Sequence, residues 1–124
     1  MIQQAKITVT LTGASGSAKS SAPISGKILA IHLDYTDIAA ATTDVVIATT
    51  AAPTMPILTR NDSVTDGWFF PRAALCDISA AALLYAAGGT PVTGEIPVDD
   101  YITVSVAQAD AGSVVATILW DDER

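Results

Sequence analysis

Cysteine is nearly missing from this chain: Cys76 is the only one among 124 residues. That excludes an intrachain disulfide and removes any need for an oxidising compartment. Its setting, AALCDI, is apolar, which predicts a buried and inert thiol rather than a nucleophile, since a reactive thiolate needs a base or a positive neighbour. Histidine is as scarce, with His32 alone. No second imidazole or cysteine pair accompanies it, so the three or four ligands of a zinc site are lacking. A Ser-His-Asp arrangement would have to run through His32, and no GxSxG elbow presents a serine to it. The single histidine therefore reads as a surface residue of a strand, beside Asp34 on the same face. Positive charge is thin: Lys6, Lys19, Lys27, Arg60, Arg72 and Arg124 are scattered, against thirteen Asp and Glu, for a net charge of −7. A polyanion is repelled by such a chain, so no nucleic-acid partner is expected. Long apolar runs are also missing. The least polar stretch, residues 78–89, ends in Gly-Gly and falls short of the ~20 residues a membrane helix needs. The opening MIQQAKITVTLTG alternates from the start, without a charged segment followed by an apolar one. The expectation is a soluble chain made in the cytoplasm, with no membrane partner.

What the chain does have is apolar residues in a period of two. Half of it is hydrophobic, mostly Ala, Val, Ile and Leu, and only 15% is charged, the composition of a folded, close-packed domain rather than a disordered one. Its length suits one domain, residues 1–124. In KITVTLT, Ile7, Val9 and Leu11 alternate with Lys6, Thr8, Thr10 and Thr12, which predicts a half-buried strand. GASGSAKSSAPIS, residues 13–25, reads as a flexible Gly/Ser loop. GKILAIHLDYT then sets Leu29, Ile31, Leu33 and Tyr35 on one face and Ala30, His32 and Asp34 on the other. TTDVVIATT and TMPILTR supply further strands, with Pro53 and Pro56 marking an edge or turn. WFFPRAALCDI predicts a strand with an irregularity at Pro71. SAAALLYAAGGTPV favours a helical turn or two, ended by Gly88, Gly89 and Pro91. GEIPVDD, DYITVSVAQ and SVVATILW complete the pattern, the last two as a hairpin, and DDER reads as an acidic, solvated tail over 121–124. The sum is an all-β fold, an antiparallel β-sandwich or jelly roll of about seven or eight strands. Its polar faces carry Thr, Ser and Ala more than Lys and Glu, and weakly charged strand surfaces predict self-association.

Two segments invite a functional reading. NDSVTDG, with Asp62 and Asp66, has the residue types of a calcium loop but neither the DxDxDG spacing nor the closing Glu, and turn chemistry accounts for it equally. The pairs Asp34/Asp37 and Asp99/Asp100 and the C-terminal acids are the remaining carboxylate clusters. No catalytic, cofactor or metal site is assigned. The segment TRNDSVTDGWFFPR places Trp68, Phe69 and Phe70 in succession, with Arg72 beyond Pro71. Strand alternation puts Trp68 and Phe70 on one side, read as filling the core, and Phe69 on the other, beneath a loop. The functional alternative is that these rings and Arg72 anchor a protein contact, as aromatics and arginine do at interfaces.

The succession GKILAIHLDY, TTDVVI, PILTRNDSVTDGWFFPR, GEIPVDDYITVSVAQ and VVATILW resembles the capsid cement or decoration proteins of tailed bacteriophages over about residues 26–120. The resemblance implies a β-sandwich that forms a homotrimer on the outside of an expanded icosahedral capsid. Its partner would be the major capsid protein, its place the junctions between capsomers, and its location the virion exterior, with Trp68, Phe69, Phe70 and Arg72 as contact residues. Other classes stay open at this point. A phage tail or head-completion protein would differ in ring symmetry. A carbohydrate- or receptor-binding virion module would need an exposed aromatic platform from Trp68, Tyr85, Tyr101 or Trp120. An enzyme would have to use His32 or an acid pair.

Overall fold

Alternating sequences make two-faced strands, and two-faced strands bury their apolar sides by packing sheet on sheet. The computed structural model describes residues 1–123. It comprises β1 (Ile2–Leu11), β2 (Gly16–Lys19), β3 (Ile24–Thr36), β4 (Asp44–Thr49), β5 (Pro56–Arg60), β6 (Gly67–Phe69), β7 (Arg72–Ala74), β8 (Thr93–Asp100), β9 (Ile102–Ala107) and β10 (Gly112–Asp121). The larger sheet runs β1-β10-β3-β8-β7 with β6 also paired to β3, and the smaller runs β2-β9-β4-β5. Every pairing is antiparallel. The inward residues of both sheets form one cluster, including Ile7 and Val9 of β1, Ile31 and Leu33 of β3, Val45 and Ile47 of β4, Val104 of β9 and Ile118 of β10. The arrangement is all-β and sandwich-like.

Several expectations are corrected. The segment 13–25 is not one flexible loop: β2 lies within it, paired to β9, and Ile24 already opens β3 and is buried. β9 and β10 do not form a hairpin. β9 pairs with β2 and β4, β10 with β1 and β3, so residues 108–111 carry the chain from one sheet to the other. The strand expected across Pro71 is two strands, β6 and β7, because proline ends the ladder with β3 and the chain resumes against β8. The helical turns expected after Ser79 are absent. There Asp77 accepts hydrogen bonds from the amides of Ser79 and Ala81, Ala80 takes a left-handed φ of 64°, and Gly88 one of 70°. A side chain competing for backbone amides favours turns over helix.

β3 carries the feature that positions everything downstream. Leu119 of β10 faces Ala30 but Trp120 faces Ile28, so Leu29 is an extra residue, a bulge. Before it the even residues Ile24 and Ile28 point into the core; after it the odd residues Ile31 and Leu33 do. Leu29 therefore does not share the face of Ile31. The bulge also separates the two partners on the far side of β3: β8 pairs with residues 24–28 and β6 with residues 31–33.

Candidate interaction surface

The register of β6 on β3 decides where the aromatic triplet points. Phe69 stands opposite Ile31 and Trp68 opposite His32. Directly opposed residues share a face, so Phe69 goes inward, where it packs against the core. Trp68 and Phe70 turn outward, 50% and 64% exposed. This is the reverse of the expected parity, and its cause is the register: β6 sets Phe69, not Trp68, opposite the inward Ile31 of β3. Trp68 rests against His32 with ring centroids 4.9 Å apart and planes at 58°, which places the lone histidine on the outer face. Phe69 is covered by the Arg60 guanidinium, 4.5 Å above the ring, a cation–π contact. Arg72 is exposed, but it donates to the Leu29 carbonyl at 3.0 Å and to the Pro71 carbonyl at 2.8 Å. It braces the bulge.

Beyond β7 the chain leaves the two sheets. Every residue from 72 to 91 is exposed. This arm is nevertheless ordered by its own backbone: Leu75 donates to Val92, Leu83 to Leu75 and Val92 to Leu83, while Cys76 bridges Ala82 and Leu84 bridges Pro91. At its apex the Asp77 carboxylate, Asp77 N–H and Asp77 carbonyl all hold the turn over 77–81. That turn presents Ile78 with 105% relative exposure, and Tyr85 follows with 77%. Leu75, Leu83 and Leu84 are also substantially exposed. Asp77 is the only charged residue between 75 and 91. Cys76 lies on this arm and is exposed, not buried. The apolar neighbours that suggested burial belong to an element with no core of its own.

The acidic residues serve mainly as backbone acceptors. Asp66 accepts from Tyr35 N–H, Asp110 from Ala39 and Ala40, and Asp44 from Asp62 N–H and the Gln108 amide. The sequence predicts tight turns for NDSVTDG; its Asp66 and the Asp62 N–H instead serve as straps to Tyr35 and Asp44 far along the chain. Among the described residues no group of three or more His, Cys, Asp and Glu is placed to hold a metal ion. Asp100 accepts from Ala51 N–H at 2.7 Å, and this bond, with one from Tyr101 N–H, holds its carboxyl below the usual carboxylate range. The C-terminal acids do not trail into solvent. Asp121 ends β10 and meets the N-terminal ammonium at 3.0 Å, Asp122 meets it at 3.2 Å, and Glu123 pairs with Lys27. Arg124 lies outside the described residues.

Of the four rings that a glycan platform would draw on, Trp120 packs against the core and Tyr101 lies beneath Lys19. Trp68 and Tyr85 are the exposed pair, one on the sheet and one on the arm. A cleft of about 460 Å³ opens at the far end of β8, between Pro97 to Asp100 and the β4–β5 loop with Ala51, Pro53 and Met55. β7 pairs only with Thr93 to Glu95 of β8, so past Glu95 that strand has β3 on one side and no strand on the other. No family model, curated protein or solved structure matches the chain.

Proposed function

We propose that this chain is a structural assembly protein, a decoration protein that seats as a homotrimer on the outside of an icosahedral phage capsid and stabilises the junctions between capsomers. One observation carries the reading. Apart from Met1 and Ile2 at the start of β1, the most exposed large apolar side chains, Trp68, Phe70, Ile78 and Tyr85, fall in one stretch of chain, on β6 and in the chain beyond it. A protein that can bury Ile31, Leu33 and Ile118 completely but leaves these rings and an isoleucine in water gains stability when another protein covers them. The resemblance of the strand succession and of the PILTRNDSVTDGWFFPR segment to phage cement proteins supplies the partner, the major capsid protein. In this reading the fold is a jelly roll made in the host cytoplasm and carried on the virion exterior. Trp68 and Phe70 touch the capsid, with Phe69 and Arg72 holding β6 and the bulge in place behind them. Many copies acting together turn a modest affinity per contact into firm attachment.

The test is co-sedimentation with expanded capsids of the encoding phage. The native chain pellets with capsids and saturates at a fixed ratio to the major capsid protein. The double substitution Trp68→Ser with Phe70→Ser weakens binding about 30-fold or more, the scale of a lost interface anchor. A native chain that remains in the supernatant at saturating capsid, or that binds a glycan saturably instead, overturns the reading.

A further inference from the structure

The arm has to be covered by something, and the structure holds a surface that fits it. The exposed portions of Leu75, Ile78, Leu83, Leu84 and Tyr85 amount to roughly 600 Å² at ordinary side-chain areas, most of the ~800 Å² per partner that a standard interface buries. Charge is no obstacle to a second copy at the arm. The chain carries −7, so two copies repel over most of their surfaces. The arm escapes this: Asp77 is its one charge between 75 and 91, and that carboxylate is occupied by the Ser79 and Ala81 amides.

The recess that matches it lies at the other end of the same strand. β8 carries the arm at Thr93 and borders the cleft at Pro97 to Asp100. Ala51, Ala52, Pro53, Met55, Pro97 and Val98 give that cleft mostly apolar walls, with Thr49, Asp99 and Asp100 as its polar edge, and its about 460 Å³ suits an aromatic ring with an aliphatic neighbour. Thr93 and Asp100 stand roughly 24 Å apart along an extended strand. The arm is pinned at its base through Leu75, Leu83 and Val92, so a chain cannot fill its own cleft.

We infer that the arm of one copy seats in the β8 cleft of the next, joining copies head to tail. An interface between two different patches closes into a ring when the rotation allows, and the assembly reading sets that ring at three copies. The inference rests on the assembly reading above and deepens it by naming the surfaces that make the trimer. Trp68 and Phe70 then remain for the capsid.

The experiment uses the full chain and light scattering coupled to size exclusion. The native chain elutes at the mass of three copies, and Cys76, on the arm, reacts with a maleimide at least 10-fold more slowly there than in a monomeric variant. Ile78→Asp with Tyr85→Ser removes the arm's apolar tip; Ala51→Arg fills the cleft from an exposed loop position. Each variant alone is monomeric with a melting temperature near the native value. Mixed in equal amounts they form a one-to-one pair, because one retains an intact cleft and the other an intact arm. Three results overturn the inference: a native chain that is monomeric at every concentration, an arm variant that keeps the native mass, or a cleft variant that does. The last would mean that arm meets arm. Capsid co-sedimentation is scored separately, so a monomeric native chain that still pellets with capsids leaves the assembly reading standing while this inference falls.

Discussion

Gly26 shows how tightly single positions are held. Its φ is +138°, and a Cβ there would sit 2.0 Å from the Asp121 carbonyl oxygen. Both the conformation and the clash exclude a side chain, since the blocking atom is backbone. Gly26→Ala therefore lowers unfolding free energy by about 2–4 kcal/mol, read from urea denaturation midpoints. An unchanged midpoint would mean that β10 ends elsewhere. In the core, Ile31 is fully buried and faces Ile118 across β10 and Phe69 across β6. Ile31→Ala costs about 2–5 kcal/mol by the same measurement, the price of lost burial plus a cavity. The exposure of Trp68 was not legible in the sequence, because alternation fixes only that Trp68 and Phe69 oppose each other. Which of them goes inside is set by the register on β3.

At the scale of elements, the arm and the sandwich are separable. No residue between 72 and 91 contributes to the buried cluster, so the arm's opening costs little compared with global unfolding. In the monomeric Ala51→Arg variant, whose arm has no cleft to enter, limited proteolysis is expected to cut first within residues 77–88 and to leave a product whose melting temperature stays within a few degrees of the uncut variant. Early cleavage in β3 or β10 would contradict this. The β4–β5 loop behaves differently because Asp100 ties it down through Ala51 N–H. That carboxyl is depressed from its ordinary value of 3.8. A depressed folded-state value means stability that is present above the unfolded-state value and lost as pH falls through the folded one. Asp100→Asn should flatten the acid side of the stability–pH curve below pH 3.8, measured by denaturation midpoints between neutral and acid pH; an unaltered acid limb would refute the strap.

Taken whole, the molecule joins its two ends. β1 and β10 run side by side from Ile2↔Asp121 to Leu11↔Gly112, and the N-terminal ammonium sits between the Asp121 and Asp122 carboxylates. The hydrogen bonds it donates to these carboxylates raise the ammonium above its ordinary 8.0. A raised value works in the opposite sense to Asp100: its contribution is complete below pH 8.0 and fades as pH rises through the folded-state value. Acetylating Met1 should remove that alkaline dependence and, because the Glu123 N–H and then the ammonium hold the Asp121 carboxyl down, trim part of the acid limb; midpoints of the acetylated and free chains that track each other above pH 8.0 would count against it. The surplus of acid is likewise a feature of the whole. Asp44, Asp66, Asp77, Asp100 and Asp110 each accept backbone amides, which is why so acidic a chain needs few counter-charges inside.

The sequence by itself determined the all-β class, the positions of most strands and the inward residues of β1 and β9, because a period of two leaves one side of each strand apolar wherever it packs. It marked NDSVTDG as a connection between strands, but not that Asp66 ties to Tyr35 N–H and Asp62 N–H to Asp44, partners far away along the chain. Only the tertiary structure decided which strands share a sheet, as with β9 and β10. Pairing partners depend on contacts far apart along the chain, and local pattern carries no record of them. The same holds for the face of Trp68, which follows from the register of β6 on β3, and for the exposure of Cys76 and Ile78. An Ala- and Leu-rich stretch looks like core until the sandwich is found to be full without it.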